Sequence, residues 1–126
     1  MAYLVDTDVL IDVAKGHPAA VDYVNGLQAP WSVSAITAME LLVGARDQRD
    51  VEKIDELLTT FPTVPLSSAI GATAYQLLKQ FSRADGLRVF DAIIAATAIE
   101  DSRSLVTRNR KHFRMISDLS LEVPEY

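Results

Sequence analysis

Hydrophobic and polar positions along the chain predict strands separated by amphipathic helices. The first apolar stretch, Tyr3-Leu4-Val5, runs directly into acidic residues, so a buried strand is expected to deliver Asp6 and Asp8 to one edge of a sheet. Ligand sites of open α/β sheets lie at that kind of edge, outside the carboxyl ends of the strands. Further strands are predicted at residues 31–34, at 62–66 as an edge strand interrupted by prolines, at 104–107, and within 115–123.

Apolar residues at helical spacing fill the segments between these strands. Ser34 is suited to cap the helix that follows the second strand. Helices are predicted at residues 9–14, 18–27 and 35–45, around the apolar positions of 51–61, from Ser67 or Ser68 to about Phe81, and at 91–99, with a loop at 84–88. The alternation predicts an α/β fold with a mostly parallel central sheet flanked by helices, in a single domain over residues 1–126.

Composition narrows the class of protein. Hydrophobic residues make up 49% and charged residues 23% of the chain, which is typical of a globular domain. The absence of cysteine excludes a disulfide framework, a thiolate metal site and a cysteine nucleophile. No apolar run reaches the roughly 18 residues of a membrane span, and the first residues lack the features of a secretory signal. We therefore expect a cytoplasmic protein with no membrane partner.

Positive charge is concentrated in one short stretch. The net charge is -5, but residues 103–114, here called the basic segment, carry five basic residues and no acid. The remainder of the chain therefore carries a net charge of -10. A basic patch near the acidic sheet edge would hold the backbone of a nucleic acid.

Three acids stand in strongly apolar surroundings. Asp6 ends an apolar strand, Glu40 lies inside an apolar helical stretch, and Asp91 begins another. A carboxylate in such a place must be paired, hydrogen-bonded or bound to metal, because burying it alone is costly. Asp6, Asp8 or Asp91 could instead cap a helix. Glu40 has no such alternative in mid-helix, unless it lies on a narrow exposed stripe or pairs with a buried arginine.

Acids at a strand end, within a helix and at a helix start can converge on one point of an α/β fold. Carboxylates that share a cleft repel one another unless a cation neutralises them. Mg²⁺ or Mn²⁺ suits oxygen ligands and leaves positions for water and a substrate phosphate. Such an ion can activate water and stabilise the charge that develops on a phosphodiester during cleavage.

Four stretches together resemble a known family. LVDTDVLID at residues 4–12, SAITAMEL at 34–41, FDAIIAATA at 90–98 and LVTRNRKHF at 105–113 look like the motifs of PIN-domain ribonucleases of the VapC toxin type. Their order and approximate spacing match, and they cover essentially the whole chain. The resemblance implies an endoribonuclease that depends on Mg²⁺ or Mn²⁺, acts on RNA as the toxin of a toxin–antitoxin pair, binds a cognate antitoxin and forms a homodimer.

The resemblance also implies roles for particular residues. Relatives often have an acid where this chain has Asn109, which would act as a neutral ligand or position water, and many have an aspartate where this chain has His112. We expect His112 to contact RNA or solvent rather than to transfer a proton. The implied metal ligands are Asp6, Glu40 and Asp91, catalytic together with Asn109; Thr7, Asp8 and Thr107 would support them, and Arg108, Arg110 and Lys111 would contact RNA.

Two other functions stay open at this stage. Asp6-Thr7-Asp8 also resembles the start of haloacid-dehalogenase-type phosphatases, in which Asp6 would be the nucleophile. A PIN-like module that binds RNA or protein without cutting is the non-enzymatic alternative. The nuclease hypothesis requires the side chains of Asp6, Glu40, Asp91 and Asn109 to line one cleft.

Overall fold

The computed structural model, which describes residues 2–126, contains one five-stranded parallel sheet. Its strands are β1 (Tyr3–Val5), β2 (Trp31–Ser34), β3 (Thr63–Val64), β4 (Ser104–Val106) and β5 (Leu121–Glu122). They are arranged in the order β3-β2-β1-β4-β5, and every neighbouring pair is parallel. The predicted parallel sheet is confirmed, and the short proline-flanked β3 is an edge strand as expected.

Seven helices connect the strands of the described chain. They are α1 (Thr7–Ala14), α2 (Pro18–Asn25), α3 (Ala35–Val43), α4 (Gln48–Leu58), α5 (Ser68–Asp85), α6 (Val89–Glu100) and α7 (Arg110–Phe113). The predicted α/β class is confirmed. No helix within residues 2–126 combines the length and the apolar character needed to cross a bilayer.

Local signals explain where most helices begin and end. Ser34 caps α3 through its hydroxyl, which accepts from the Ile36 N–H at 3.2 Å, and Ser67 caps α5 in the same way. The expected loop over 84–88 is shorter, because α5 continues to Asp85 and stops at Gly86, whose φ of 72° ends the helix. A left-handed residue at a helix terminus favours glycine, which explains this stop.

Alternation along the central strands places a hydrophobic core on each face of the sheet. Leu4 and Leu105 pack against the layer that contains α5 and α6, and Val5 and Val106 pack against the layer that contains α1. All four side chains are fully buried. The two central strands are therefore held from both sides, and the residues that follow them are fixed in position.

The strand order creates a switch point at the centre of the sheet. The chain moves from β1 outward to β2 and β3, and then returns to β4 on the other side of β1. At such a point the connections leave in opposite directions and open a crevice at the carboxyl ends of the strands. Asp6 follows β1 and Thr107 follows β4, so both lie at this crevice.

Candidate metal and RNA site

Asp6 is the most deeply buried acid of the crevice, with 5% of its surface exposed. Because Val5 is paired in register with Val106, the residues after these strands lie side by side. Thr107 Oγ1 donates to Asp6 Oδ2 at 2.7 Å, and the Thr7 N–H donates to Asp6 Oδ1 at 2.8 Å. Asp6 is also the N-cap of α1. The same residue therefore caps a helix and contributes a carboxylate to the acidic crevice.

The electrostatic environment of Asp6 opposes its ionisation. Burial, above all, and then the charge of Asp8 raise the pKa of Asp6 to about 7, with a smaller contribution from Asp91. The hydrogen bonds from Thr107 and Thr7 act in the opposite direction but are outweighed. At neutral pH this carboxylate is therefore partly protonated, and a nearby cation would favour its ionised form.

Glu40 joins this acidic crevice through Thr7. Thr7 Oγ1 donates to Glu40 Oε1 at 2.7 Å and lies 2.9 Å from Thr37 Oγ1. Thr37 and Glu40 are three residues apart and therefore share one face of α3. That face meets the start of α1 next to Asp6, so Glu40 is directed toward Asp6 and not toward the opposite side of the molecule.

Asp91 lies on the first turn of α6 and is half-buried. Burial raises its pKa, and the nearby charges of His112 and Arg88 partly offset the effect. The N-cap of α6 is Arg88, whose side chain makes no capping bond. The alternative that Asp91 caps its own helix is therefore wrong. Its charge is still favourable at the helix start, because the partial positive charge of the helix lies there.

His112 contacts Asp91, which the sequence did not indicate. The His112 Nδ1 atom lies 3.4 Å from Asp91 Oδ2, with α7 packed beside α6. The expectation that His112 contacts RNA or solvent is incomplete, since its side chain is half exposed but also pairs with a site acid. The only sequence signal was its position in the basic segment, where relatives have an aspartate.

Asp8 connects α1 to the loop after β4. Its Oδ1 accepts from the Val9 N–H at 2.7 Å, and its Oδ2 accepts from the Arg108 N–H at 3.0 Å. Both oxygens are thus engaged by backbone donors. This arrangement is consistent with the supporting role predicted for Asp8, in which it orders the loop and adds negative charge near Asp6.

Asn109 approaches the crevice through its backbone. It is exposed at the start of α7, and its backbone N–H donates to Thr107 Oγ1 at 3.0 Å. Among the hydrogen bonds within residues 2–126, its side-chain amide makes none. The structure therefore brings the backbone of Asn109 to the residue that holds Asp6, while a ligand role for its side chain stays a prediction.

The basic segment divides into engaged and free cations. Arg103 pairs with Asp101, and Arg108 pairs with Asp12 at 3.0 Å and lies over the Tyr126 ring at 4.8 Å. Arg110 and Lys111 are exposed on α7 and form no ion pair within the described chain. The fully buried Phe113 anchors this short helix, which keeps both cations at the surface.

The donors of the crevice fit a hydrated divalent cation. Within residues 2–126 no three histidine, cysteine, aspartate or glutamate side chains already stand together as a complete metal-binding group. Mg²⁺ does not require such a cage, because it keeps several waters and is commonly held by one or two carboxylates and a substrate phosphate. The charge of Asp91 contributes to the raised pKa of Asp6, and these two carboxylates could supply such a pair.

The described site can be compared with known proteins. The PIN domain family model matches residues 3–118. Ribonuclease VapC10 of Mycobacterium tuberculosis is 32% identical over 121 residues, which are 92% of this chain and 89% of that protein. The family model spans all four motifs, and the coverage of the relative excludes a match confined to the acidic start of the chain.

Solved structures give the same result. A toxin–antitoxin complex from Klebsiella pneumoniae contains a chain that is 31% identical, with a TM-score of 0.82 and 97% of each chain covered. A chain of VapBC2 from Rickettsia felis, bound to a DNA fragment from its promoter, is 25% identical, with a TM-score of 0.84 and 98% of each chain covered. The resemblance predicted from the four motifs is confirmed, and the chain belongs to the PIN-domain family, among its VapC ribonucleases.

Proposed function

We propose that this protein is a cytoplasmic endoribonuclease that uses Mg²⁺ or Mn²⁺ to hydrolyse RNA phosphodiester bonds, and that it is the toxin of a toxin–antitoxin pair. VapC ribonucleases of the PIN family depend on a divalent metal. The observation that carries the proposal for this chain is the buried Asp6 carboxylate, whose pKa is raised to about 7 beside Asp8 and Asp91. Burial and neighbouring negative charges make this carboxylate costly to ionise, and a bound cation would offset that cost.

Asp6 and Asp91 are the proposed primary ligands. Thr107 and the Thr7 backbone hold the Asp6 carboxylate in one orientation without neutralising its charge. Asp91 is positioned by α6 and contacts His112. A divalent ion bound there would activate water and stabilise the charge that develops on the phosphodiester.

Glu40 is proposed to complete the acidic site. The Thr7 hydroxyl fixes its Oε1 and leaves Oε2 available for a metal-bound water or the ion itself. Asn109 would position the attacking water or act as a neutral ligand, after a rotation of its exposed side chain. These assignments need no histidine as general base.

The substrate and partners follow from charge and family. Arg110 and Lys111 are exposed near Asp91, have no ion-pair partner among residues 2–126, and are proposed to contact RNA phosphates. Arg108 remains a proposed RNA contact, although its present partners are Asp12 and Tyr126. The likeness to chains of toxin–antitoxin complexes supports a cognate antitoxin as a partner. The proposal adds that this antitoxin covers the acidic crevice and that the protein forms a homodimer.

The direct test is cleavage of single-stranded RNA by the purified protein. We expect cleavage with Mg²⁺ or Mn²⁺, none in EDTA, and loss of cleavage in Asp6→Asn and Glu40→Gln. Asp55→Asn and Glu56→Gln are matched controls, because both acids are exposed on α4 and should tolerate the change.

Two outcomes would contradict this proposal. Cleavage that persists in EDTA excludes the metal-dependent mechanism. If the protein binds Mn²⁺ and RNA but cleaves none of a varied set of RNAs, it is a binding module of the same fold. A phosphorylated Asp6 trapped with a small phosphomonoester would instead revive the phosphatase hypothesis.

A further inference from the structure

A cavity of about 710 Å³ opens beside Glu40, between α1, α3 and α4. Of the residues that line it, only Glu40 has a role assigned above. Its size lies within the range of sites that hold small organic ligands. The cavity is lined by Ile11, Ala14, Lys15, Glu40, Leu41, Gly44, Arg46, Asp50, Lys53 and Ile54.

The lining combines free cations with an apolar wall. Lys15 and Lys53 are exposed and form no ion pair within residues 2–126. Arg46, in contrast, pairs with Asp50 at 2.9 Å. Lys53 also contributes to lowering the pKa of the Asp50 carboxyl, but both lysine side chains are exposed to solvent and open to an anion, on a chain of net charge -5.

The apolar part of the lining comes from three different helices. Ile11 belongs to α1, Leu41 to α3 and Ile54 to α4. Ile11 and Ile54 are partly exposed and Leu41 is buried behind them, so the isoleucines supply the apolar area that a heterocycle could contact. Lys15 and Lys53 line the same cavity. A nucleotide has both of these parts, a base and a phosphate, whereas an inorganic anion would use only the lysines.

The position of the cavity relative to the acids gives it a role in the reaction. Glu40 lines the cavity and accepts a hydrogen bond from the hydroxyl of Thr7, the residue that follows Asp6. On the other side, Asp91 contacts His112 on α7, whose Arg110 and Lys111 are exposed. The acids thus stand between two separate groups of cations.

We propose that this cavity is a nucleotide-binding subsite of the RNA substrate, in which Lys15 and Lys53 bind a phosphate and the apolar wall contacts a base. The inference rests on the proposed ribonuclease function and extends it. An RNA strand would run from the basic segment, across the acidic crevice, into the cavity. The enzyme would then contact nucleotides on both sides of the bond that it cuts.

The test compares the double variant Lys15→Ala/Lys53→Ala with wild type on short single-stranded RNAs. We expect KM to rise on the order of tenfold near 0.1 M salt, with kcat unchanged, because two phosphate contacts are lost. The slope of log KM against log salt should decrease by about 1.4, which is about 0.7 for each contact to a single strand. For wild type we expect a lower KM on RNAs with three nucleotides on each side of the cut than on RNAs shortened on one side. In the double variant this difference in KM should disappear.

Two control proteins separate charge from folding. Lys79→Ala removes a lysine of α5 that lies over Tyr75 and should leave KM unchanged. Lys15→Arg/Lys53→Arg keeps both charges and should restore the wild-type salt slope. Thermal unfolding of all variants should coincide with wild type within a few degrees, because both lysines are exposed.

The outcomes distinguish this inference from the proposed function. If wild type cleaves no RNA, the ribonuclease function itself fails. If wild type cleaves and the double alanine variant keeps its KM, salt slope and length dependence, the subsite is refuted and the cavity is left for a protein partner. A fall in kcat alone would also refute it, since it would place the lysines in the chemical step rather than in binding.

Discussion

Asp6→Asn should stabilise the metal-free protein at pH 8 while removing its activity. Burial and the neighbouring Asp8 raise the pKa of Asp6 from 3.8 to about 7 in the folded protein. One pKa unit corresponds to about 1.4 kcal/mol, so ionised Asp6 destabilises the fold by at most about 4 kcal/mol at pH 8. The side-chain amide of the introduced asparagine carries no charge, so the variant avoids this destabilisation.

The sign of the pH dependence follows from proton binding. Between pH 3.8 and about 7 the folded protein holds a proton on Asp6 that the unfolded chain has released. Stability attributable to Asp6 therefore declines as pH rises through this window and stays constant above it. Asparagine cannot accept from both Thr7 and Thr107, which costs about 1 kcal/mol at every pH. The variant should gain about 2 to 3 kcal/mol at pH 8 and lose this advantage by about pH 4.5.

Urea unfolding in EDTA at several pH values between 4.5 and 8 measures this difference. Asp55→Asn on the exposed surface of α4 is the control, and its stability should follow wild type at every pH. A variant that is less stable than wild type at pH 8, or a difference that does not change with pH, refutes the reasoning. Mn²⁺ should then stabilise wild type but not Asp6→Asn, because ligand binding raises stability only where the site is intact.

Three further predictions concern the same site. The apparent affinity for Mn²⁺, measured by calorimetry, should rise by up to about tenfold for each unit of increasing pH, because the ion displaces the Asp6 proton. It should level off above about pH 7, and an affinity that does not change with pH contradicts this. Thr7→Val removes the hydrogen bond from Thr7 Oγ1 to Glu40 and should reduce kcat about tenfold or more. Losses of this size are typical when a residue that orients a metal ligand is replaced. Thr73→Val, which removes an exposed hydroxyl bonded to Glu100, should change nothing. His112→Asp should increase Mn²⁺ affinity, because a carboxylate would replace the imidazole that lies 3.4 Å from Asp91; equal affinity refutes this.

Local patterns allowed much of the fold to be predicted. The strand at Trp31–Ser34 has the predicted bounds, and the Ser34 cap and the proline-flanked edge strand follow from neighbouring residues alone. Helix ends were less predictable. The predicted helix over 35–45 ends at Val43, since the turn at Gly44 is fixed by backbone hydrogen bonds that no side-chain pattern reveals.

The individual hydrogen-bond and ion-pair partners of the site residues could not be predicted. Asp91 and His112 lie on different helices, and Arg108 and Asp12 are separated by 96 positions. Arg108 meets Asp12 because β1 and β4 are neighbours in the sheet and bring the segments that follow them together. Asp91 meets His112 because α6 packs beside α7. The sequence marked Asp91 as unusual through its apolar neighbours, but it contained no signal for the partner.

The two site acids Asp6 and Glu40 differ from three acids elsewhere in the kind of partner that they have. Asp12, Asp50 and Asp101 each pair with an arginine, which neutralises their charge within the protein. Asp6 and Glu40 form no ion pair within residues 2–126, and their bonds come from threonine hydroxyls and a backbone N–H.

Neutral donors orient a carboxylate but leave its negative charge unpaired, and burial then makes that charge costly. A fold selected for stability alone would favour an arginine or an apolar residue at these positions. In the sequence, Thr7 and Thr107 look like ordinary strand-end residues. In the structure they orient the carboxylates of Asp6 and Glu40 without neutralising them, so the negative charge is available to a bound cation.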